Sequence, residues 1–213
     1  MKKTLSITIL LAMLCALLSG CGAQSEPEGE GISVVATVFA PYDFARQLVG
    51  ERGEVTLLLP PGSEAHSYEP SPKDIIEIQN CDLFIYVGGV SDAWVSDVLE
   101  SVGGEVRTVT LMDCVELLEE EHVEGMEVDE DEHEGEIEYD EHVWTSPRNA
   151  ELICEKIAAA LCEVDPEGAE EYGTALESYC AQLDELDAAF TEVVENGVRD
   201  TVVFGDRFPL LYF

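Results

Sequence analysis

The chain has 213 residues, 46 of them acidic and 10 basic, for a formal net charge of −36 at neutral pH. A surface with that excess repels phosphate backbones, so nucleic acid is excluded as a partner and cations are the natural ones.

The first residues read as a secretory signal. Lys2 and Lys3 precede a mostly apolar run over residues 5–18, followed by Leu18-Ser19-Gly20-Cys21. The run is too short for a comfortable membrane span. The last four residues resemble the bacterial lipobox, which implies cleavage before Cys21 and lipid on its thiol and new amino group; a simple signal peptide cut near Ala23 is the plainer alternative. Residues 1–20 are therefore expected to be a lipoprotein signal and residues 21–31 a tether, since residues 24–31 carry no apolar side chain to bury. The mature protein is expected outside the cytoplasm, lipid-anchored to the bacterial cell membrane.

Residues 32–39 are rich in β-branched side chains and predict a strand, and residues 41–49 show helical spacing through Phe44 and Leu48. Residues 54–59 predict a second strand, followed by a loop and a helix opening at Ser71-Pro72. A strand over 82–87, a helix over 93–102 and a strand over 106–111 continue the alternation. An α/β fold with a parallel sheet flanked by helices is the economical solution, and strands buried on both faces explain the nearly unbroken apolar runs.

Residues 116–141 interrupt this order with fifteen acidic residues and the histidines His122 and His133. Mutual repulsion predicts a disordered acidic loop. It reads either as a weak cation collector beside a tighter site or as a solvated charge run. No EF-hand register fits, because Asp129 and Asp131 lack the glycine that its turn requires. A helix follows from residue 147 to about 162, and Asp165-Pro166 opens another. In it Tyr172, Leu176, Tyr179, Leu183, Leu186, Phe190 and Val193 recur at spacings of four and three up to Asn196-Gly197. That predicts one long helix of about 45 Å packed across its own domain, with a dimeric coiled coil as the competing reading. Residues 201–204 then predict a fresh strand.

Apart from Cys15 and Cys21, five cysteines remain, Cys81, Cys114, Cys154, Cys162 and Cys180, with no zinc-type C-x-x-C pair. Cys154 and Cys162 stand roughly 12 Å apart along one helix, beyond disulfide reach. Buried free thiols are the default expectation, with one or two bridges open.

Two of the four histidines sit in matching frames. His66 lies in Pro61-Gly62-Ser63-Glu64-Ala65-His66-Ser67-Tyr68-Glu69-Pro70-Ser71-Pro72, and His142 in Asp140-Glu141-His142-Val143-Trp144-Thr145-Ser146-Pro147. Each is followed two residues later by an aromatic and shortly afterwards by Ser-Pro, a helix-start signal. Both imidazoles thus belong to loops entering helices, where open α/β sheets bind ligands. They are candidate metal ligands, the alternative being that each ring merely caps its loop. Glu64 and Glu69 are candidates for orienting His66. Tyr68 and Trp144 read as packing residues shielding the cleft.

On these motifs the sequence resembles the metal-binding lipoproteins that serve zinc and manganese ABC importers. The family's first motif, Pro-Gly-x-x-x-His-x-aromatic-Glu-Pro-Ser/Thr, matches residues 61–71. Its second matches through Asp140, His142, Trp144, Pro147, Asn149 and Ala150. The resemblance implies a two-lobed solute-binding fold, with residues 32–165 as a first α/β metal-binding lobe, 166–197 as a connecting helix and 198–213 as the start of a second lobe that is truncated. It also implies a third ligand near Gly205, where Asp206 is the candidate substitute, and a fourth beyond Phe213. Function follows as expectation: a high-affinity receptor, monomeric and not an enzyme, that delivers Zn²⁺ or Mn²⁺ to the membrane permease of an ABC importer. Histidine nitrogens with a carboxylate suit Zn²⁺, whereas more oxygen ligands favour Mn²⁺. The rivals are an acidic surface lipoprotein acting as adhesin or metal buffer, and a metallohydrolase, for which neither H-E-x-x-H nor G-x-S-x-G is present.

Overall fold

The computed structural model describes residues 31–60, 62–63, 66–103, 106–120, 138–199, 201, 203–204 and 208–213. Four strands, β1 (Ile32–Ala36), β2 (Gly53–Leu57), β3 (Leu83–Tyr86) and β4 (Thr108–Thr110), pair in the order β2-β1-β3-β4, every pair parallel. Between them run α1 (Phe39–Val49), α2 (Pro72–Asn80) and α3 (Trp94–Val102). After β4 come α4 (Pro147–Val164) and α5 (Ala169–Glu195), each preceded by a single 3₁₀ turn, Val143–Thr145 and Pro166–Gly168.

Both faces of the sheet are buried, and the period of two divides the strand residues between them. Val34, Leu83 and Ile85 point to one side, against Phe44 and Leu48 of α1 and Ile153, Ile157 and Leu161 of α4. Val35 and Phe84 point to the other, against Ile78 of α2 and Val95 and Val98 of α3. The amino edge is pinned from outside the sheet. Arg52, just before β2, donates to Asp165 at 2.8 Å, and the Tyr172 hydroxyl donates to the same carboxylate at 2.6 Å.

The stripe on α5 is engaged over only part of its length. Tyr172 and Leu183 are buried, while Leu186, Phe190 and Val193 are exposed. The helix is 27 residues, about 40 Å, because the Pro166–Gly168 turn is 3₁₀ and not its first α turn. Val203 and Phe204, expected in a fresh strand, are not in one. A β-branched run needs a neighbouring strand for its backbone groups, and the four described strands are already arranged without it. The five described cysteines are free thiols. Burial pushes Cys81 up to about 12, as expected of an inert core thiol. Among the described residues no helix is long and apolar enough to cross a membrane.

The strand order makes β1 and β3 central neighbours. From β1 the chain crosses to β2 on one side, and β3 returns to the other side of β1. The crevice outside the carboxyl ends of β1 and β3 is therefore the topological switch point, where ligands bind in open α/β sheets.

Candidate metal centre

Three loops leave the carboxyl edge and converge. The first follows β2. Leu59 N–H donates to the Thr37 carbonyl at 3.0 Å, prolonging the ladder, and Ser63 N–H closes a turn on Pro60 at 3.1 Å before the chain reaches His66. The far end of this loop is held by the capping box of α2. Ser71 Oγ accepts from the Asp74 amide at 3.3 Å, and the Asp74 carboxylate accepts from the Ser71 amide at 2.7 Å and the Tyr68 hydroxyl at 2.9 Å. Burial works against the Asp74 carboxylate, but these donors hold its pKa below the usual value. The Tyr68 ring meets Trp94 edge-on, with centroids 5.7 Å apart.

The second loop follows β3 through Gly88 and Gly89, with φ of +97° and +75°. Two successive left-handed residues turn the chain sharply, and only glycine adopts them without strain. The buried Asp92 carboxylate fixes the turn by accepting from the amides of Val87 at 2.7 Å and Gly88 at 3.1 Å. Burial raises its pKa, the two amides oppose this, and nearby Glu141 adds to the rise.

The third loop comes from β4 by way of a bridge between Glu119 and Tyr139, which frames the acidic residues 121–137 that lie outside the described residues. Tyr212 ties the base of this bridge: its hydroxyl accepts from the Leu118 amide at 3.1 Å and donates to the Asp140 carbonyl at 2.9 Å. The Asp140 carboxylate is 4% exposed and accepts from both the His142 amide and His142 Nδ1, each at 2.7 Å. That bond raises the His142 pKa above its ordinary value; burial opposes the rise, and Asp140, Glu141 and Glu120 reinforce it by charge. Ser146 Oγ then accepts from the Asn149 amide at 3.4 Å and starts α4.

The outcome is that His66 and His142 face each other, with ring centroids 5.9 Å apart and planes at 58°. An imidazole bound at about 2.0–2.1 Å places its centroid roughly 3 Å from the ion, so two rings on one tetrahedral zinc stand about 5 Å apart. The observed centroid separation is within about 1 Å of that spacing. Because Nδ1–H of His142 is committed to Asp140, the neutral ring presents its lone pair at Nε2, a carboxylate–histidine arrangement suited to a metal. The Trp144 ring lies tilted beside His142, at 5.5 Å between centroids, and packs on the core.

The other sequence candidates fare differently. Glu69 is exposed, and the described partner of His66 Nδ1 is Ser91, with Oγ at 2.8 Å. Glu64, Asp206 and Cys21 lie outside the described residues. Among the described residues no group of three His, Cys, Asp or Glu side chains is placed to hold a metal. Sequence reasoning passed over Ser91 and Glu141. The only signal for Ser91 was its position just after a Gly-Gly turn at a strand's carboxyl end.

A parallel sheet with two imidazoles meeting at its switch point has the architecture of a solute-binding lobe, and the comparisons narrow that class. The profile of the ZnuA family, zinc-uptake complex component A, periplasmic, matches residues 34–212, and the chain belongs to that family. It is 34% identical over 205 residues to the zinc-binding lipoprotein AdcA of Streptococcus pneumoniae, a match covering 95% of this chain and 40% of that protein. It is also 34% identical over 204 residues to the high-affinity zinc uptake system protein ZnuA of Bacillus subtilis, covering 89% of this chain and 61% of that one. The crystal structure of Zn(II)-bound AdcA from S. pneumoniae superposes with a TM-score of 0.66 at 29% identity, over 78% of this chain and 33% of that one. The chain thus spans between about a third and three fifths of the length of these relatives.

Proposed function

We propose that this chain captures Zn²⁺ as the receptor of an ABC importer and passes it to the membrane permease, binding the ion as cargo and catalysing no reaction. The observation that carries the reading is the approach of His66 and His142, rings 5.9 Å apart at the switch point, with His142 held by Asp140. Zinc suits this donor set better than manganese, because imidazole nitrogens outweigh oxygens among the described ligands. Membership of a periplasmic zinc-uptake family supports an extracytoplasmic location and a permease partner. Lipid on Cys21, a monomeric state and a carboxylate ligand at Asp206 complete the proposal. So does the division into a first lobe over 32–165, a connecting helix over 166–197 and the opening of a second lobe over 198–213.

Competition with a chromophoric chelator tests it. The chain should bind one Zn²⁺, and His66→Ala and His142→Ala should each weaken it by at least about tenfold, or 1.4 kcal/mol. Many weak ions with neither substitution having an effect would instead indicate a buffer built on the acidic residues.

A further inference from the structure

Ser91 makes two hydrogen bonds that run in opposite directions across the site. Its backbone N–H donates to Glu141 Oε1 at 3.0 Å, and its hydroxyl meets His66 Nδ1 at 2.8 Å. Glu141 lies between Asp140, which orients His142, and His142 itself. Consecutive residues on the β4-derived loop therefore reach both imidazoles, one by a direct bond and the other through the β3 loop.

We infer that Glu141 and Ser91 position His66, so that the dipeptide Asp140-Glu141 sets both metal-directed rings; the inference deepens the zinc-receptor reading and rests on it. Three features favour a built arrangement over a chance contact. The Glu141 carboxyl group lies against the backbone of Gly89, where a Cβ would collide with Oε1 and come within 2.6 Å of Cδ and 2.7 Å of Cγ. A side chain at position 89 would force the Glu141 carboxylate to shift. The start of the same loop is fixed from behind by Asp92, whose two amide bonds leave the peptide of Ser91 little freedom. Finally, His66 stands on an exposed turn, and a ring preset there by protein hydrogen bonds costs less affinity to order than one ordered by the ion.

The arrangement is testable in the whole chain by two measurements. Zn²⁺ affinity is read by chelator competition, and the protonation pattern of the histidine ring nitrogens is read by NMR in the metal-free protein. Ser91→Ala and Glu141→Ala should each weaken zinc by about 10- to 100-fold, the usual effect of losing an orienting partner. The double variant should be no worse than the weaker single, because both cut the same path. Glu141→Gln keeps an oxygen that accepts from the Ser91 amide and should stay within about threefold of the parent. The ring-nitrogen signals of His66 should move in Ser91→Ala and Glu141→Ala, while those of His142 stay in place in Ser91→Ala. Glu141→Gln as damaging as Glu141→Ala would make Glu141 a ligand or a charge and overturn the inference, as would unmoved His66 signals in Ser91→Ala. His66→Ala is the control: undiminished zinc binding there would sink the ligand reading, while the ring-nitrogen signals still decide whether Glu141 and Ser91 position the ring.

Discussion

With His142 as the ligand proposed above, a proton and a zinc ion compete for one ring. Asp140 favours the charged imidazolium, so the pKa of His142 is raised, first by that hydrogen bond and then by the surrounding carboxylates. The sign for folding follows. A raised folded pKa contributes stability that is fully present below the unfolded value of about 6.5 and is lost as pH rises through the folded value. Zinc binding runs the other way, because Nε2 must be deprotonated to coordinate. The stability difference between the metal-free parent and Asp140→Asn should therefore shrink as pH rises through the raised value, measured by urea unfolding. Zinc affinity of the parent should fall as pH drops through it, and in Asp140→Asn that fall should move to lower pH. The same pH profile in both proteins would mean that Asp140 does not govern the ring. At this scale the two histidines were legible because four imidazoles in 213 residues make a repeated frame informative. Ser91 was not, since a serine's value as an orienting group depends on which ring the fold brings to its hydroxyl.

The helix α5 shows how an element can be legible in type and not in engagement. Its apolar spacing predicts a helix, and a helix forms, but periodicity alone does not tell how far the neighbouring layer extends. Leu183 is 7% exposed and Leu186 43%, although both belong to one stripe. Leu183→Ala should cost about 2–5 kcal/mol of stability, as for a filled core site, whereas Leu186→Ala should stay within about 0.5 kcal/mol. Equal costs in denaturant titration would place the end of the packed region elsewhere. The strands gave the clearer pattern, since β1 and β3 are buried on both faces and Ser33 is the one small polar residue that breaks their apolar runs. Val203 and Phe204 mislead for the converse reason: β-branched character marks a segment fit for a sheet without supplying a partner.

Taken whole, the molecule separates holding from binding. Ion pairs and buried rings fasten the amino edge of the sheet around Arg52, Asp165 and Tyr172, while the carboxyl edge carries the loops that meet at the histidines. The alternating β-α order predicts the loop-bearing edge, because parallel strands send every βα loop to the same side; the fastened amino edge has no such sequence signal. What the order does not contain is which loop leans on which, and here that is settled by single hydrogen bonds such as Ser91 to Glu141.

His66 and His142 stand on loops from different strands, with β3, β4 and two helices between them in the chain. An ion gripped by both therefore staples distant stretches of sequence, and it does so only while the fold is intact. Ligand at about 100 times its dissociation constant adds roughly 2.7 kcal/mol against unfolding. Survival under protease then becomes a gauge of occupancy. The zinc-loaded chain should outlast the metal-free chain at the same protease dose, and His66→Ala or His142→Ala should erase the difference. If the chain is the receptor proposed above, a molecule that has lost its ion would be the first degraded, and the surviving population would be weighted toward loaded molecules.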